Sequence, residues 1–198
     1  MMIVDGDIPQ YWLTGYEKVF ALDIETSGLD RNHDRIACVQ VHNPVRGTII
    51  VRRLTESPTE LIRLLESTQR KIFHHAPFDL GFLLRDYPNM AVQNIADTKI
   101  AAGILDPTKK RFGSHSLKYL VKHYFNYDMD KTLAVSNWFA ETLSPKQVDY
   151  AIKDVEFLPR LLSRLEQAIR RKGLYGDLQR AYQHIPTSVL LSLKKEGI

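Results

Sequence analysis

Lys18-Val19-Phe20-Ala21-Leu22-Asp23-Ile24-Glu25 is an apolar run that ends in two acids, and the fold turns on how it is read. An unbroken apolar stretch of this length reads as a buried strand. Residues i and i+2 of a strand point to one face, so Asp23 and Glu25 share a side. Two carboxylates there repel each other, and removal from water disfavours both charges. Either a cation resolves the conflict or the strand emerges into water at that point; the run alone leaves both open. Working outward, Arg35-Ile36-Ala37-Cys38-Val39-Gln40-Val41-His42 and Thr48-Ile49-Ile50-Val51 are rich in β-branched residues and read as the next strands. The turns between them, Ser27 to Asn32 and Asn43 to Gly47, are short, which favours antiparallel neighbours. Cys38 reads as a small core residue of this sheet.

Beyond residue 57 the pattern changes. Ser57-Pro58 opens a helix with Leu61, Ile62, Leu64 and Leu65 at helical spacing. Lys71 to His74 predicts a fourth strand, Phe78 to Leu84 a helix, the region of Ala91-Val92 a short fifth strand, and Asp97 to Leu105 a helix. Further helices are expected over Ser116–Phe125, over Ser144–Arg171 with Ser144-Pro145 as its cap and Gly173 at its end, and from Ile185 to Lys195. Asp106 to Ser114 carries Pro107, Gly113 and Lys109-Lys110-Arg111 and reads as an exposed loop. Its charge run is a solvated face or, with Phe112 and Tyr119 nearby, a face toward nucleic acid. Strands first, then alternation, then helices is the pattern of an α/β fold, a mixed sheet with helices packed around it. No linker, repeat or low-complexity segment interrupts it.

The chain has 198 residues, with 27 Lys and Arg against 23 Asp and Glu, for a net charge of +4. That length fits a single domain. With 44% hydrophobic and 25% charged residues, disordered and collagen-like classes are excluded. One cysteine excludes a disulfide framework and a cysteine-rich zinc site. There is no apolar run of about 18 residues, and Met1 to Asp7 lacks the basic and apolar regions of a signal peptide. The expectation is a soluble cytoplasmic protein without a membrane partner. The basic balance suits an ordinary surface and a polyanionic partner equally.

Three further groups bear on the two acids of the first strand. Asp79, in His75-Ala76-Pro77-Phe78-Asp79-Leu80, stands where a strand hands over to a helix. By itself it is an acid favoured by the helix dipole. Tyr150 and Asp154 lie at i, i+4 on one helix face, which by itself is a solvated rim pair. Together they make four carboxylates and a tyrosine, with no competing Cys or His cluster. All-oxygen donors suit hard cations such as Mg²⁺ or Mn²⁺. Two such ions about 3.5–4 Å apart can activate water and stabilise a leaving oxygen in phosphodiester hydrolysis.

Asp23-Ile24-Glu25-Thr26-Ser27-Gly28-Leu29 resembles the first exonuclease motif of the DEDD superfamily, His75 to Leu83 resembles the second, and Tyr150 to Asp154 the third in its tyrosine form. Asp97-Thr98 with Ala101-Ala102, Ser116-Leu117, Asp130-Lys131, Ser136-Asn137-Trp138 and Leu143 to Gln147 are similar to ribonuclease D-type sequences. The resemblance covers residues 17–172, leaving a C-terminal helical extension over 174–198 within one exonuclease domain, 1–198. It implies a ribonuclease H-like fold, a five-stranded mixed sheet with helices on both faces. It also implies a 3′→5′ exonuclease that releases nucleoside monophosphates from single-stranded RNA or DNA with two divalent metal ions, Mg²⁺ or Mn²⁺.

On that resemblance Asp23, Glu25 and Asp154 hold one ion, and Asp23 with Asp79 places the other. Tyr150 orients the attacking water. Thr26 and Leu29 meet the 3′-terminal nucleotide, Leu29 as a wedge or else as a turn residue tucked into the sheet. His75, counted on this resemblance among the substrate-binding residues or else a structural histidine, stands where the family usually has Asn. Trp138 stacks on a base or fills core. Lys131, with Lys109, Lys110, Arg111 and Lys118, supplies phosphate contacts. Phe78 reads as core, and His74-His75 lacks the further ligands of a zinc site. After Trp138 the family's Arg-Pro-Leu stretch is replaced by Phe139-Ala140-Glu141-Thr142-Leu143, which puts one basic contact in doubt. Ribonuclease D also carries helical nucleic-acid-binding domains, so a partner protein or domain is expected to supply extra grip. Ile185 to Ile198 is similar to the segment joining proofreading and polymerase domains in family A DNA polymerases, which keeps a proofreading exonuclease acting on DNA as an alternative. A nucleic-acid-binding module with little turnover would be expected to have lost an acid, and none is lost. The Tyr-xxx-Asp helix argues against an endonuclease or transposase of the same broad fold class.

Overall fold

A computed structural model describes residues 1–14 and 18–198. Glu17, the first residue of the expected nuclease core, lies outside the described residues. Six strands form one mixed sheet: β1 (Met2–Asp5), β2 (Val19–Thr26), β3 (Ile36–Asn43), β4 (Gly47–Arg52), β5 (Arg70–Phe73) and β6 (Ile95–Asp97). Their order is β1-β4-β3-β2-β5-β6. β2, β3 and β4 run antiparallel, as their short turns require, while β5 and β6 follow β2 in parallel and β1 lies parallel to β4.

The sheet has one strand more than the five expected. β1 has only four residues at the sheet edge, too few for a pattern to register. It is nevertheless tied in, because the Gly6 N–H donates to Arg52 O at 2.8 Å. The Asp7 carboxylate then accepts from Glu60 N at 2.7 Å and Leu61 N at 3.0 Å, satisfying free amides in the first turn of α2 (Thr59–Glu66). The strand expected near Ala91-Val92 lies at Ile95–Asp97 instead, where the side chains are buried.

The other helices are α1 (Gln10–Leu13), α3 (Ala76–Asp86), α4 (Thr98–Leu105), α5 (Leu117–Phe125), α6 (Pro145–Glu156), α7 (Leu158–Arg171) and α8 (Tyr175–Glu196). The single helix expected over Ser144–Arg171 is two. Pro159 has no N–H to offer Val155 O, and Phe157 N donates to that carbonyl instead, so the chain restarts as α7. α8 is longer than expected and runs through Pro186, held by one buried face of Leu178, Tyr182, Ile185, Val189 and Leu193. No helix among the described residues is long and apolar enough to cross a membrane.

Both sheet faces are covered. Leu22, Ile24, Val39, Val41, Ile49 and Val51 join the main core together with residues of α2, α3, α4 and α7. Cys38 and Ile50 face the other way and pack under Trp138, Tyr150 and Ala151. Asp23 pairs with Gln40 and Glu25 with Cys38, so both acids lie on that second face, beneath α6. Cys38 is a buried core residue as expected, and Phe78 packs half-buried against the main core.

Candidate active site

β2 delivers Asp23 and Glu25 to the sheet end where the strand gives way to a turn, and the register with β3 shifts between Glu25 and Thr26. α6 crosses the same face. Its start is fixed by a capping box, in which the Ser144 side chain accepts from Gln147 N and Gln147 reaches back to Ser144 N. Tyr150 and Asp154 follow one turn apart and point inward, both buried. One oxygen each of Asp23, Glu25 and Asp154 lies within 4.8 Å of the others. Among the described residues this is the one such grouping of carboxylate, imidazole or thiol donors. Asp79 stands beside it on α3, 2% exposed, and its Oδ1 accepts the Ile24 N–H at 3.1 Å, between the two acids of β2. The four acids that the sequence singles out are therefore brought together from three elements.

Burial raises the pKa of every one of them. Asp23 is pushed up to about 8 by desolvation and then by the Asp154 charge. Glu25 is pushed up to about 10 by desolvation and by Asp23 and Asp154. Asp79 stands well above its ordinary value through burial and Asp23, and Asp154 is raised by burial. A single cation opposes this. Lys131 Nζ pairs with Asp154 Oδ1 and sits 4.8 Å from the centre of the Tyr150 ring. Burial and then the Asp154 charge beside it also raise Tyr150, so its hydroxyl keeps the proton. One ammonium cannot offset four ionised carboxylates, so further positive charge is needed before all four can release their protons. With oxygen donors only, the set fits a hard divalent cation.

Asp97 positions part of this without being part of it. Its Oδ2 accepts Ala76 N at 2.6 Å, in the first turn of α3, and its Oδ1 accepts Lys99 N at 2.7 Å and Ile100 N at 2.9 Å, in α4. One carboxylate thus caps two helices, one of which carries Asp79. An Asp before an apolar helix is an N-cap signal in sequence, but the second helix it serves is not adjacent in the chain. His75, just before α3, has φ of 79°. That left-handed backbone favours Asn and His among non-glycine residues, which accounts physically for His where Asn is usual. His74 faces inward, bonded to Thr98 Oγ1 at 2.8 Å, and burial lowers it to about 3.

The expected substrate residues divide. Leu29 is 83% exposed at the tip of the turn after β2 and is not tucked into the sheet. Thr26 Oγ1 donates to Gly28 O at 2.5 Å within the same turn. Trp138 is 2% exposed, and its ring centre lies 5.7 Å from that of Tyr150, so it forms the wall behind Tyr150 and offers no face to a base. Lys131 belongs to the acid cluster. Lys109, Lys110, Arg111 and Lys118 are exposed, while Phe112 is buried. A cavity of about 470 Å³ opens beside Tyr150, lined in part by Tyr127, Met129, Leu133, Lys146 and Lys153. That is room for a nucleotide-sized ligand.

A family model described as 3′-5′ exonuclease matches residues 3–170. The chain is 30% identical over 158 residues to a DNA polymerase I of Aquifex aeolicus, covering 77% of this chain and 25% of that protein. It is 34% identical over 88 residues to a ribonuclease D of Desulfotalea psychrophila, covering 44% and 22%. The chain thus spans about a quarter of the length of these curated relatives. Among solved structures it is similar to Brucella melitensis NrnC bound to pGG, with a TM-score of 0.87 at 29% identity, covering 97% of this chain and 92% of that one. The same NrnC with bound Mg²⁺ gives 0.85 at 28% identity over the same shares.

Proposed function

This chain belongs to the 3′-5′ exonuclease family, with its ribonuclease H-like fold, and we propose that residues 1–198 act as one domain that hydrolyses single-stranded nucleic acid from the 3′ end. The observation that carries the reading is the meeting of Asp23, Glu25 and Asp154 within 4.8 Å, with Asp79 bonded to the backbone between the first two. Asp23, Glu25 and Asp154 would hold one divalent ion and Asp23 with Asp79 a second, Mg²⁺ or Mn²⁺. When bound, such ions neutralise phosphate charge and make water a competent nucleophile near neutral pH.

The remaining roles belong to side chains. Tyr150 keeps its proton, so it serves as a hydrogen-bond donor that orients the attacking water and not as a base. Lys131 holds Asp154 in place until the substrate phosphate offers a competing anion. Leu29 and Thr26 meet the 3′-terminal nucleotide, and the cavity beside Tyr150 receives the residue next to it. The pGG carried by the NrnC relative supports short single strands as substrates. The polymerase relative supports DNA as a second substrate class.

The test uses 5′-labelled single-stranded RNA and DNA of one sequence, together with pGG, in Mg²⁺, Mn²⁺ or EDTA, with Asp154→Ala beside the wild type. A ladder shortening from the 3′ end, absent in EDTA and in Asp154→Ala, is expected. Retained binding with no shortening on any substrate would replace the enzyme by a binding module.

A further inference from the structure

The Leu29 side chain is open to solvent, on a turn whose backbone is hydrogen-bonded on both sides of it. Ser27 Oγ donates to Asp34 Oδ1 at 2.7 Å and accepts Arg35 N at 3.0 Å. Asp34 Oδ2 accepts Asp30 N at 2.9 Å, and Asp34 N donates to Asp30 O at 2.7 Å. From this turn the Arg31 side chain runs across α3. Its Nη2 donates to Pro77 O at 3.2 Å, two residues before Asp79. Its Nη1 donates to Glu196 Oε1 at 3.0 Å and lies 3.5 Å from Ser192 Oγ, both in the last turns of α8. Arg85 comes up from α3 and donates from one nitrogen to Arg31 O and to Asp34 O.

Two glycines give this brace its room. Gly28 and Gly81 both have ordinary φ, so neither is there for its conformational freedom. A methyl on Gly28 would overlap the Asp34 carboxylate, and one on Gly81 would overlap the Arg31 guanidinium. Both glycines are needed for close approach. Arg31 keeps 18% of its side chain exposed and Glu196 33%, and ion pairs in such surroundings add little to global stability. What the brace sets is position.

We propose, resting on the exonuclease reading above, that Arg31 is a positioning residue for the substrate's 3′ end, strapping the Thr26–Leu29 turn to α3 beside Asp79 and to the last turn of α8. The end of α8 thereby determines where Leu29 stands, although it touches no acid of the site.

The test is a double-mutant cycle. Arg31→Gln, Leu29→Ala and the pair are compared on a single-stranded oligonucleotide, reading kcat and KM in Mn²⁺ and the dissociation constant in EDTA by fluorescence anisotropy. Arg31→Gln should raise KM and the EDTA dissociation constant about tenfold while kcat changes less than about twofold, because binding is lost equally from ground state and transition state. The pair should be no worse than Leu29→Ala alone, because Arg31 acts through Leu29. Gly81→Ala should reproduce Arg31→Gln, and Glu196→Gln, at the rim, runs the same cycle if Arg31→Gln does not fold. Additive losses, or a lowered melting temperature with KM unchanged, would leave Arg31 merely structural and overturn the proposal. A wild type that binds but does not cleave defeats the exonuclease reading alone, since the cycle on the EDTA dissociation constant still decides the role of Arg31.

Discussion

At the scale of single residues, the acids were legible because their types and spacing are the chemistry. Asp23 and Glu25 at i, i+2 and Tyr150 and Asp154 at i, i+4 each share a face whatever the fold around them. The partner of Asp154 was not legible, since Lys131 lies 23 positions away and reaches it only after the intervening loop has folded back. The raised pKa of Asp23 has a measurable sign. Folded, it keeps its proton up to about 8; unfolded, it releases it near pH 3.9. Its contribution to stability is complete below the lower value and lost as pH rises through the upper one. In EDTA, Asp23→Asn should therefore gain stability over wild type as pH rises from about 5 to 8, by at most about 1.4 kcal/mol per pH unit. Saturating Mn²⁺ should reverse the order at pH 8. Urea unfolding at several pH values reads both, and a gap that does not widen with pH would mean that Asp23 ionises freely in the folded chain.

At the scale of elements, the antiparallel strands β2, β3 and β4 and the start of α6 were readable because turn residues and caps act locally. Two of the misses share a cause, unlike the break before Pro159, which is local. The edge strand β1 is fixed by pairing with β4, and the continuity of α8 across Pro186 by the face it buries. Tertiary partners decide both, and no local pattern carries them. The local cap of α6 yields its own prediction. Ser144→Ala should lower stability by about 1 kcal/mol and leave kcat nearly unchanged, because the helix is also held by packing on β3 and β4. A rate loss much larger than the stability loss would show that the cap sets the placement of Tyr150 and Asp154.

At the scale of the whole molecule, the mixed sheet with helices on both faces followed from the order of elements, but its strand order did not, since β2 between β3 and β5 is a crossover that no motif spells out. The net charge of +4 is unevenly spread. Arg160, Arg164 and Arg171 on the outer face of α7 have no carboxylate partner among the described residues. Affinity for a single strand should fall steeply with salt, each phosphate contact contributing about 0.7 to the logarithmic slope. A flat dependence between 50 and 200 mM salt would mean that the charge only solvates the surface. Asp97 gathers four elements at one point: it ends β6, caps α3 and α4, and through its carbonyl accepts the Tyr182 hydroxyl of α8 at 3.2 Å. Elements joined at a single residue are expected to open together. The amides of Ala76, Lys99 and Ile100 should exchange with deuterium in one concerted event, so that the turn presenting Asp79 is shielded by the free energy of a large cooperative unit and not by that of a fraying helix end.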